Sequence, residues 1–257
     1  MFKDFVRRLG KPALNIVWQA GGIGTMFIQS VYLSFRRPFK FDYIFKQMEF
    51  VGVHSLLVVL ITGTFTGMVL ALQSSYGFNK FGAEGLVGVI VTLSMTRELG
   101  PVLTSLMVTG RAGSAMAAEI GTMRVTEQID ALTVMAINPI KYLVAPRVVA
   151  SFLMLPILTI ISDFTGVVGG YIVGVKMLGI NEGAFMNRID KSVALGDIYN
   201  GLVKAAVFGL ILSVISCYKG YNTRGGAEGV GRATTEAVVL SSVTILISDY
   251  VLTSLMF

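Results

Sequence analysis

The chain has 257 residues, of which 54% are hydrophobic and 14% are charged, and its formal net charge is +6. A soluble domain of this length would expose too much apolar surface, so the composition excludes that class and indicates an integral membrane protein. The basic residues flank apolar stretches, which favours anionic lipid headgroups over nucleic acid as partners of the positive charge.

The first 46 residues are predicted to form amphipathic, interfacial helices on the cytoplasmic face. Residues 13–35 carry no charge, yet basic clusters bracket them on both sides. The positive-inside rule disfavours moving either cluster across the membrane. We therefore interpret residues 13–35 as an in-plane or re-entrant segment, with a sixth membrane span as the alternative.

The rest of the chain, residues 47–257, is predicted to be the transmembrane domain. A bilayer core of about 30 Å requires about 20 apolar residues in a helix. Continuous apolar runs of that length, without the alternation typical of strands, predict five spans. These runs cover residues 51–74, 86–110, 148–175, 199–218 and 236–256. The predicted fold is an all-α integral membrane protein.

The distribution of basic residues gives the orientation. They are in excess before residue 47 and recur in the segments 111–147 and 219–235. The positive-inside rule then places the N-terminus in the cytoplasm and the C-terminus on the outer face.

Small residues and prolines occur inside the predicted spans. Gly63 and Gly67 form a GxxxG motif, and Gly166, Gly170 and Gly174 repeat at the same spacing. Such spacing lets helix backbones approach closely and indicates a tight bundle or a dimer. Pro101 interrupts the hydrogen bonding of its helix beside two charged residues, which is tolerated only next to protein or a wet cavity.

Those charged residues, Arg97 and Glu98, lie about 17 Å below the outer end of their span, near the middle of the membrane. Each costs about 2.5–3.5 kcal/mol there. Neighbours in sequence point about 100° apart on a helix, so each needs a partner elsewhere. We interpret them as a polar wall of a substrate cavity, with a structural interhelical bridge as the alternative.

Lys204 and Asp249 form a second set. Their depths differ by about 5 Å at helical rise, within reach of a lysine side chain, so we predict an ion pair with either a structural or a cavity role. Asp163 is a lone buried acid, to which we assign no role beyond partnership with Arg97. Asp197 lies near the outer boundary, where we expect it to be hydrated.

Residues 123–135, between the second and third spans, predict an amphipathic cytoplasmic helix. Val125, Ile129 and Leu132 fall on one face of it. We interpret it as a docking helix for another protein, with a stray interfacial helix as the alternative. The glycine-rich residues 225–231 form a predicted loop without the Lys-Ser/Thr of a phosphate-binding loop, and residues 234–236 predict the start of the last span.

Three stretches carry a resemblance to a known family. RELGPVLTSLMVTGRAGSAMAAEIGTMRVTEQIDAL (97–132), NPIKYLVAPRVVA (138–150) and GGAEGVGRATTEAVVLSS (225–242) closely resemble the MlaE family of ABC-transporter permeases. The resemblance covers nearly the whole chain from about residue 45.

The resemblance implies a homodimeric permease in the inner membrane of a double-membrane bacterium. It implies a separate cytoplasmic ABC ATPase, which would bind the ATP and magnesium, an outer-face MCE-domain protein and, in many systems, a STAS-domain protein. The implied substrate is phospholipid or a similar lipid. The chain itself has no nucleotide-binding or catalytic motif, and its single cysteine and single histidine leave little for a metal site. We therefore expect a transport subunit without a cofactor of its own.

The resemblance also implies roles for individual residues. The implied substrate cavity has polar and apolar members: Arg97, Glu98, Lys204, Asp249, Leu70, Leu99, Tyr76 and Phe78. The implied ATPase-coupling residues belong to the cytoplasmic helix: Arg124, Val125, Thr126, Glu127, Gln128, Ile129, Asp130 and Leu132. Two other functions stay open from the residues alone, an ion-coupled secondary transporter and a non-conducting membrane scaffold.

Overall fold

Helices form the regular structure of the chain in a computed structural model, which describes residues 2–34, 36, 41–80 and 82–256. No strand occurs within these ranges, which confirms the predicted all-α class. The helices follow one another in this order: α1 (Phe2–Ser34), α2 (Phe41–Asn79), α3 (Glu84–Val125), α4 (Gln128–Val134), α5 (Ile140–Met177), α6 (Glu182–Ser192), α7 (Leu195–Tyr221) and α8 (Gly226–Met256).

Five helices of the described chain, α2, α3, α5, α7 and α8, are long and apolar enough to cross a membrane. This confirms the predicted number of spans. Their lengths exceed the apolar runs in the sequence. The 42 residues of α3 extend over roughly 60 Å, about twice the thickness of a bilayer core. The spans therefore continue as helices into the polar regions on at least one side.

Helix α3 continues through residues 110–113, beyond the predicted end of the second span at residue 110. These residues belong to a π-helical turn, Thr109–Gly113, inside the continuous helix α3. Ala112 and Gly113 are buried, and a side chain at Gly113 would contact Ser216 of α7. The small residues permit close helix packing here, so they do not end the helix.

The predicted cytoplasmic helix over residues 123–135 is wrong at its start. Met123 to Val125 complete α3, and the separate helix α4 begins at Gln128. Glu127 lies between them with a φ of 60°, in the left-handed region. A single residue in this conformation interrupts the helix, which periodicity alone does not reveal.

The last span also starts earlier than expected. Helix α8 begins at Gly226, so the predicted glycine-rich loop is mostly helical and residues 234–236 are not a helix start. Thr234 and Thr235 donate their hydroxyl protons to the carbonyl oxygens of Val230 and Gly231, as helical threonines can. Helix α6 lies between the third and fourth predicted spans, where the sequence analysis predicts no helix.

Glycines bring α2 and α5 into close contact. Side chains at Gly63 and Gly67 would collide with the backbones of Ser162 and Gly166. The two glycine stripes of the sequence therefore face each other within one chain. Helix α5 lies between α2 and α7, and α7 packs in turn against α3 and α8.

Helix α1 is one continuous helix, so residues 13–34 show no re-entrant reversal. Its contacts lie at the predicted cytoplasmic ends of the spans. Lys219 donates a hydrogen bond of 3.0 Å to Gln19, and Met26 is buried in a cluster with Ile120 and Val144. These contacts favour an in-plane position over a sixth span, and that position stays a prediction.

Candidate functional site

Lys204 is the centre of a polar cluster among α3, α7 and α8. Its side chain is fully buried. The ammonium group donates hydrogen bonds to the main-chain oxygen of Arg97 at 2.9 Å, to Oε2 of Glu98 at 2.8 Å and to Oγ1 of Thr253 at 2.7 Å. Three N–H bonds thus have three acceptors, which is the full donor capacity of a lysine.

The predicted pair of Lys204 and Asp249 is confirmed. Oδ1 of Asp249 lies 3.2 Å from the ammonium nitrogen, as an ion pair without a hydrogen bond, because the three N–H bonds already have acceptors. Glu98 is a further partner of Lys204 that the sequence analysis missed. The lysine therefore ties together two carboxylates from two different helices.

Pro101 explains why the carbonyl of Arg97 is available. In an α-helix, the Arg97 oxygen would accept from the N–H four residues later, and proline has none. Residues Met95–Leu99 form a π-helical turn, in which the N–H of Gly100 bonds to the oxygen of Met95. Lys204 supplies the missing donor, so the proline and the buried lysine act together.

Thr253 links the same groups on the side of α8. Its hydroxyl oxygen accepts from Lys204 and lies 2.8 Å from the main-chain oxygen of Asp249 and 3.2 Å from Oε1 of Glu98. A single hydroxyl proton serves one of these acceptors at a time. The Glu98 side chain remains 38% exposed in the single chain, so the cluster is open on one side.

Arg97 pairs with Asp197, and the expected partnership with Asp163 is wrong. Nε and Nη2 of Arg97 lie 2.8 Å and 2.6 Å from Oδ1 of Asp197. Asp197 is only 7% exposed, contrary to the expected hydration, and its Oδ2 accepts a 3.0 Å hydrogen bond from the N–H of Ala194. The carboxylate is thereby fixed at the start of α7.

The spacing along α7 explains why Asp197 pairs with Arg97 and Lys204 pairs with Glu98. Asp197 and Lys204 are seven residues apart, two helical turns, so they lie on one face about 10 Å apart. Arg97 and Glu98 point in different directions from α3, so Arg97 reaches Asp197 and Glu98 reaches Lys204. The seven-residue spacing was visible in the sequence and is the signal that could have found Asp197.

Asp163 lies on α5 beside Gly100, where any side chain would collide with its Oδ1. That oxygen is buried and lacks a hydrogen-bond partner.

The predicted apolar cavity residues divide into two groups. Leu70, Phe78 and Leu99 are half-buried and pack against one hydrophobic cluster, which includes Met95. Tyr76 is 74% exposed on the surface of α2. The structure therefore brings three of the four together, and their contact with substrate stays a prediction.

The predicted coupling residues also divide. Ile129 is buried in the same cluster as Ile120 and Val144 and fixes α4 to the bundle. Arg124 and Asp130 form a 2.6 Å ion pair across the turn between α3 and α4. The exposed members of the predicted set are these: Val125, Thr126, Glu127, Gln128 and Asp130.

Five long apolar helices around an ion-pair cluster define a multi-pass membrane protein. The chain belongs to a family described as "Permease MlaE", whose model matches residues 44–255. This confirms the resemblance seen in the sequence.

Relatives over most of the chain carry permease names. A probable ABC transporter permease protein of Rickettsia felis is 49% identical over 100% of this chain and 99% of its own. A probable ABC transporter permease protein of Synechocystis is 49% identical over 82% of this chain and 81% of its own. The intermembrane phospholipid transport system permease protein MlaE of Haemophilus influenzae is 39% identical over 100% of this chain and 99% of its own. The chain is accordingly an ABC transporter permease of the MlaE family.

Proposed function

We propose that this chain is the transmembrane subunit of a transporter that moves phospholipid or a similar lipid between the inner membrane and an outer-face MCE-domain protein. A separate cytoplasmic ATPase would supply the energy and bind ATP and magnesium. The name of the Haemophilus relative, which specifies intermembrane phospholipid transport, supports this substrate class.

The observation that carries the proposal is the polar cluster around Lys204. A purely structural bridge would be closed on all sides, because exposed charge in hydrocarbon is costly. Here Glu98 is 38% exposed and Arg97 is 37% exposed in the single chain. Such exposure inside a membrane span fits a polar wall of a chamber that holds lipid headgroups.

A chamber of this kind requires a second copy of the chain. Apolar side chains are exposed on α2 and α8, among them Phe65 and Tyr76 on α2 and Tyr250 and Leu255 on α8. In the proposed homodimer, such faces would enclose acyl chains near the cluster. ATP binding would draw the two α4 helices together and compress the chamber towards its outer mouth.

The proposed assembly has the orientation that the distribution of basic residues predicts. The protein would lie in a bacterial inner membrane, with its N-terminus in the cytoplasm and its C-terminus in the periplasm. The MCE-domain protein would receive or deliver lipid on the periplasmic side. The exposed turn between α3 and α4 would contact the ATPase, which in many such systems carries a STAS-domain protein.

Purification with co-expressed neighbouring subunits tests the proposal. Mass spectrometry of the complex in mild detergent should give two copies of this chain, two ATPase subunits and bound phospholipid. Reconstituted complex should then transfer phospholipid only with ATP. Transfer by this chain alone under an ion gradient would establish an ion-coupled transporter instead. A stable complex with unchanged lipid flux after substitution of the cluster would establish a scaffold.

A further inference from the structure

A second candidate lipid site lies far from the polar cluster. A pocket of about 330 Å3 opens where the end of α1, the start of α2 and the start of α5 meet, at the predicted cytoplasmic surface. Lys141 lies at its rim, on α5. The 22 residues from Lys141 to Asp163, which neighbours Gly100, span about 33 Å of helix. The pocket is therefore separate from the proposed transport chamber.

The rim of the pocket is positively charged. Arg36 follows α1, Lys141 lies in the first turn of α5, and none of the described lining residues is acidic. The start of α5 adds the positive end of a long helix dipole. This combination attracts an anion such as a phosphate group.

Two tyrosines form one wall. The hydroxyl oxygens of Tyr43 and Tyr142 lie 2.6 Å apart, and their ring centroids are separated by 5.1 Å. Tyrosine is typical of the depth where headgroups meet hydrocarbon, because its ring is apolar and its hydroxyl is polar. The pair therefore supports a position at the membrane boundary.

The floor of the pocket is apolar and leads towards the hydrocarbon. Ile44 and Val149 line it. Val149 lies eight residues after Lys141 on α5, about 12 Å deeper at helical rise. Phe152 and Leu153 continue on the same face and are 42% and 43% exposed. A ligand seated here would have its charged part at the rim and an apolar part along α5.

We propose that this pocket binds a resident anionic phospholipid of the cytoplasmic leaflet. Its phosphate lies between Arg36 and Lys141, and one acyl chain follows Val149 towards Phe152. Inorganic phosphate shares the headgroup chemistry, but it makes no use of the apolar floor. The bound lipid would hold α1 against the first turns of α2 and α5, and it is distinct from the transported lipid.

A photoactivatable phosphatidylglycerol, with the reactive group in one acyl chain, tests this site on the full chain in phosphatidylcholine nanodiscs. Mass spectrometry should find label on the peptide that contains residues 142–153. Unlabelled phosphatidylglycerol should compete, whereas phosphatidylcholine and inorganic phosphate should not. Because the ATPase is absent, failure here leaves the proposed transport function untouched.

Matched variants complete the test. Each basic residue near a membrane surface contributes roughly fivefold to the binding of anionic lipid, so Arg36→Gln with Lys141→Gln should lower labelling about thirtyfold. Arg36→Lys with Lys141→Arg should retain it. Arg224→Gln with Arg232→Gln removes the same charge from exposed positions outside this pocket and should leave labelling unchanged.

Three results would overturn the assignment: equal labelling by a photoactivatable phosphatidylcholine, displacement of the lipid by inorganic phosphate, or wild-type labelling of the Arg36→Gln, Lys141→Gln variant. If that variant fails to fold, the wild-type chain alone decides the question, through its selectivity for phosphatidylglycerol and through the peptide that carries the label.

Discussion

The ammonium group of Lys204 donates a 2.9 Å hydrogen bond to the main-chain oxygen of Arg97. That oxygen lacks its usual helical donor because Pro101 has no N–H. A break in one membrane helix is thus satisfied by a side chain from another, and the same lysine contacts the carboxylates of both Glu98 and Asp249. Lys204 therefore satisfies a main-chain oxygen, contacts two carboxylates and joins α3, α7 and α8.

Removal of the Lys204 charge should destabilise the fold strongly. Lys204→Met leaves Glu98 and the main-chain oxygen of Arg97 without this donor and Asp249 without its ion-pair partner. Breaking a buried pair on one side typically costs about 3–5 kcal/mol. Cys217 is buried and is the only cysteine of the chain, so its labelling by a thiol reagent during heating reports unfolding. Adding Glu98→Gln to Lys204→Met should recover part of the loss, because residues in contact are not additive. Full additivity of the two substitutions would show that Glu98 and Lys204 do not interact.

Pro101→Ala should change the transport function more than stability. The new N–H can bond to the oxygen of Arg97, which favours an ordinary α-turn over the π-helical turn and competes with Lys204. We expect unfolding at or above the wild-type temperature and reduced phospholipid transfer in proteoliposomes. Pro156→Ala, inside α5, is the control and should retain transfer. Equal transfer by both variants would contradict the role of the π-helical turn.

Gly67 should tolerate no side chain. A methyl group there would collide with the backbone of Gly166, and relief of such overpacking typically costs about 1–3 kcal/mol. Gly77 lies on the same helix with open space around it, so Gly77→Ala should be neutral or stabilising by up to about 1 kcal/mol. Thermal unfolding measured by circular dichroism compares the two. The idea fails if Gly67→Ala is as stable as Gly77→Ala.

Substitutions at the turn before α4 and in α4 should distinguish a residue that contacts the ATPase from a residue that stabilises the fold. Arg124→Ala breaks an exposed ion pair, which is worth about 0–1 kcal/mol, so the unfolding temperature should change little. Stimulation of ATP hydrolysis by the permease in the reconstituted complex should fall if this turn contacts the ATPase. Ile129→Ala removes a buried anchor and should cost about 2–5 kcal/mol instead. Unchanged ATPase stimulation in a folded Arg124→Ala complex would remove the coupling role.

The number of spans and the pair of Lys204 and Asp249 were predictable, because continuous apolar runs and helical rise fix length and depth. The helix ends were not predictable. Glu127 separates α3 from α4 in a conformation that its residue type rarely adopts, and Gly113 remains helical through packing that a local pattern does not contain. The pairing of Asp197 was missed because only its depth in the membrane was considered, and its two-turn spacing from Lys204 was not.

The GxxxG motif illustrates a second limit. The sequence showed that Gly63 and Gly67 permit close approach, but it could not say to what. Only the fold shows that α5 of the same chain occupies that face. A motif for helix contact therefore identifies the surface and leaves its partner open.

Phospholipid transfer by the complete transporter carrying Arg97→Leu with Glu98→Leu tests the central claim most directly. The control is Asp190→Leu with Lys191→Leu, another adjacent pair of opposite charges that is exposed on α6. With folding and ATPase binding verified for both, we predict that ATP-driven transfer is abolished in the first variant and retained in the second. Transfer at the wild-type rate by the first variant would contradict a lipid pathway along Arg97 and Glu98.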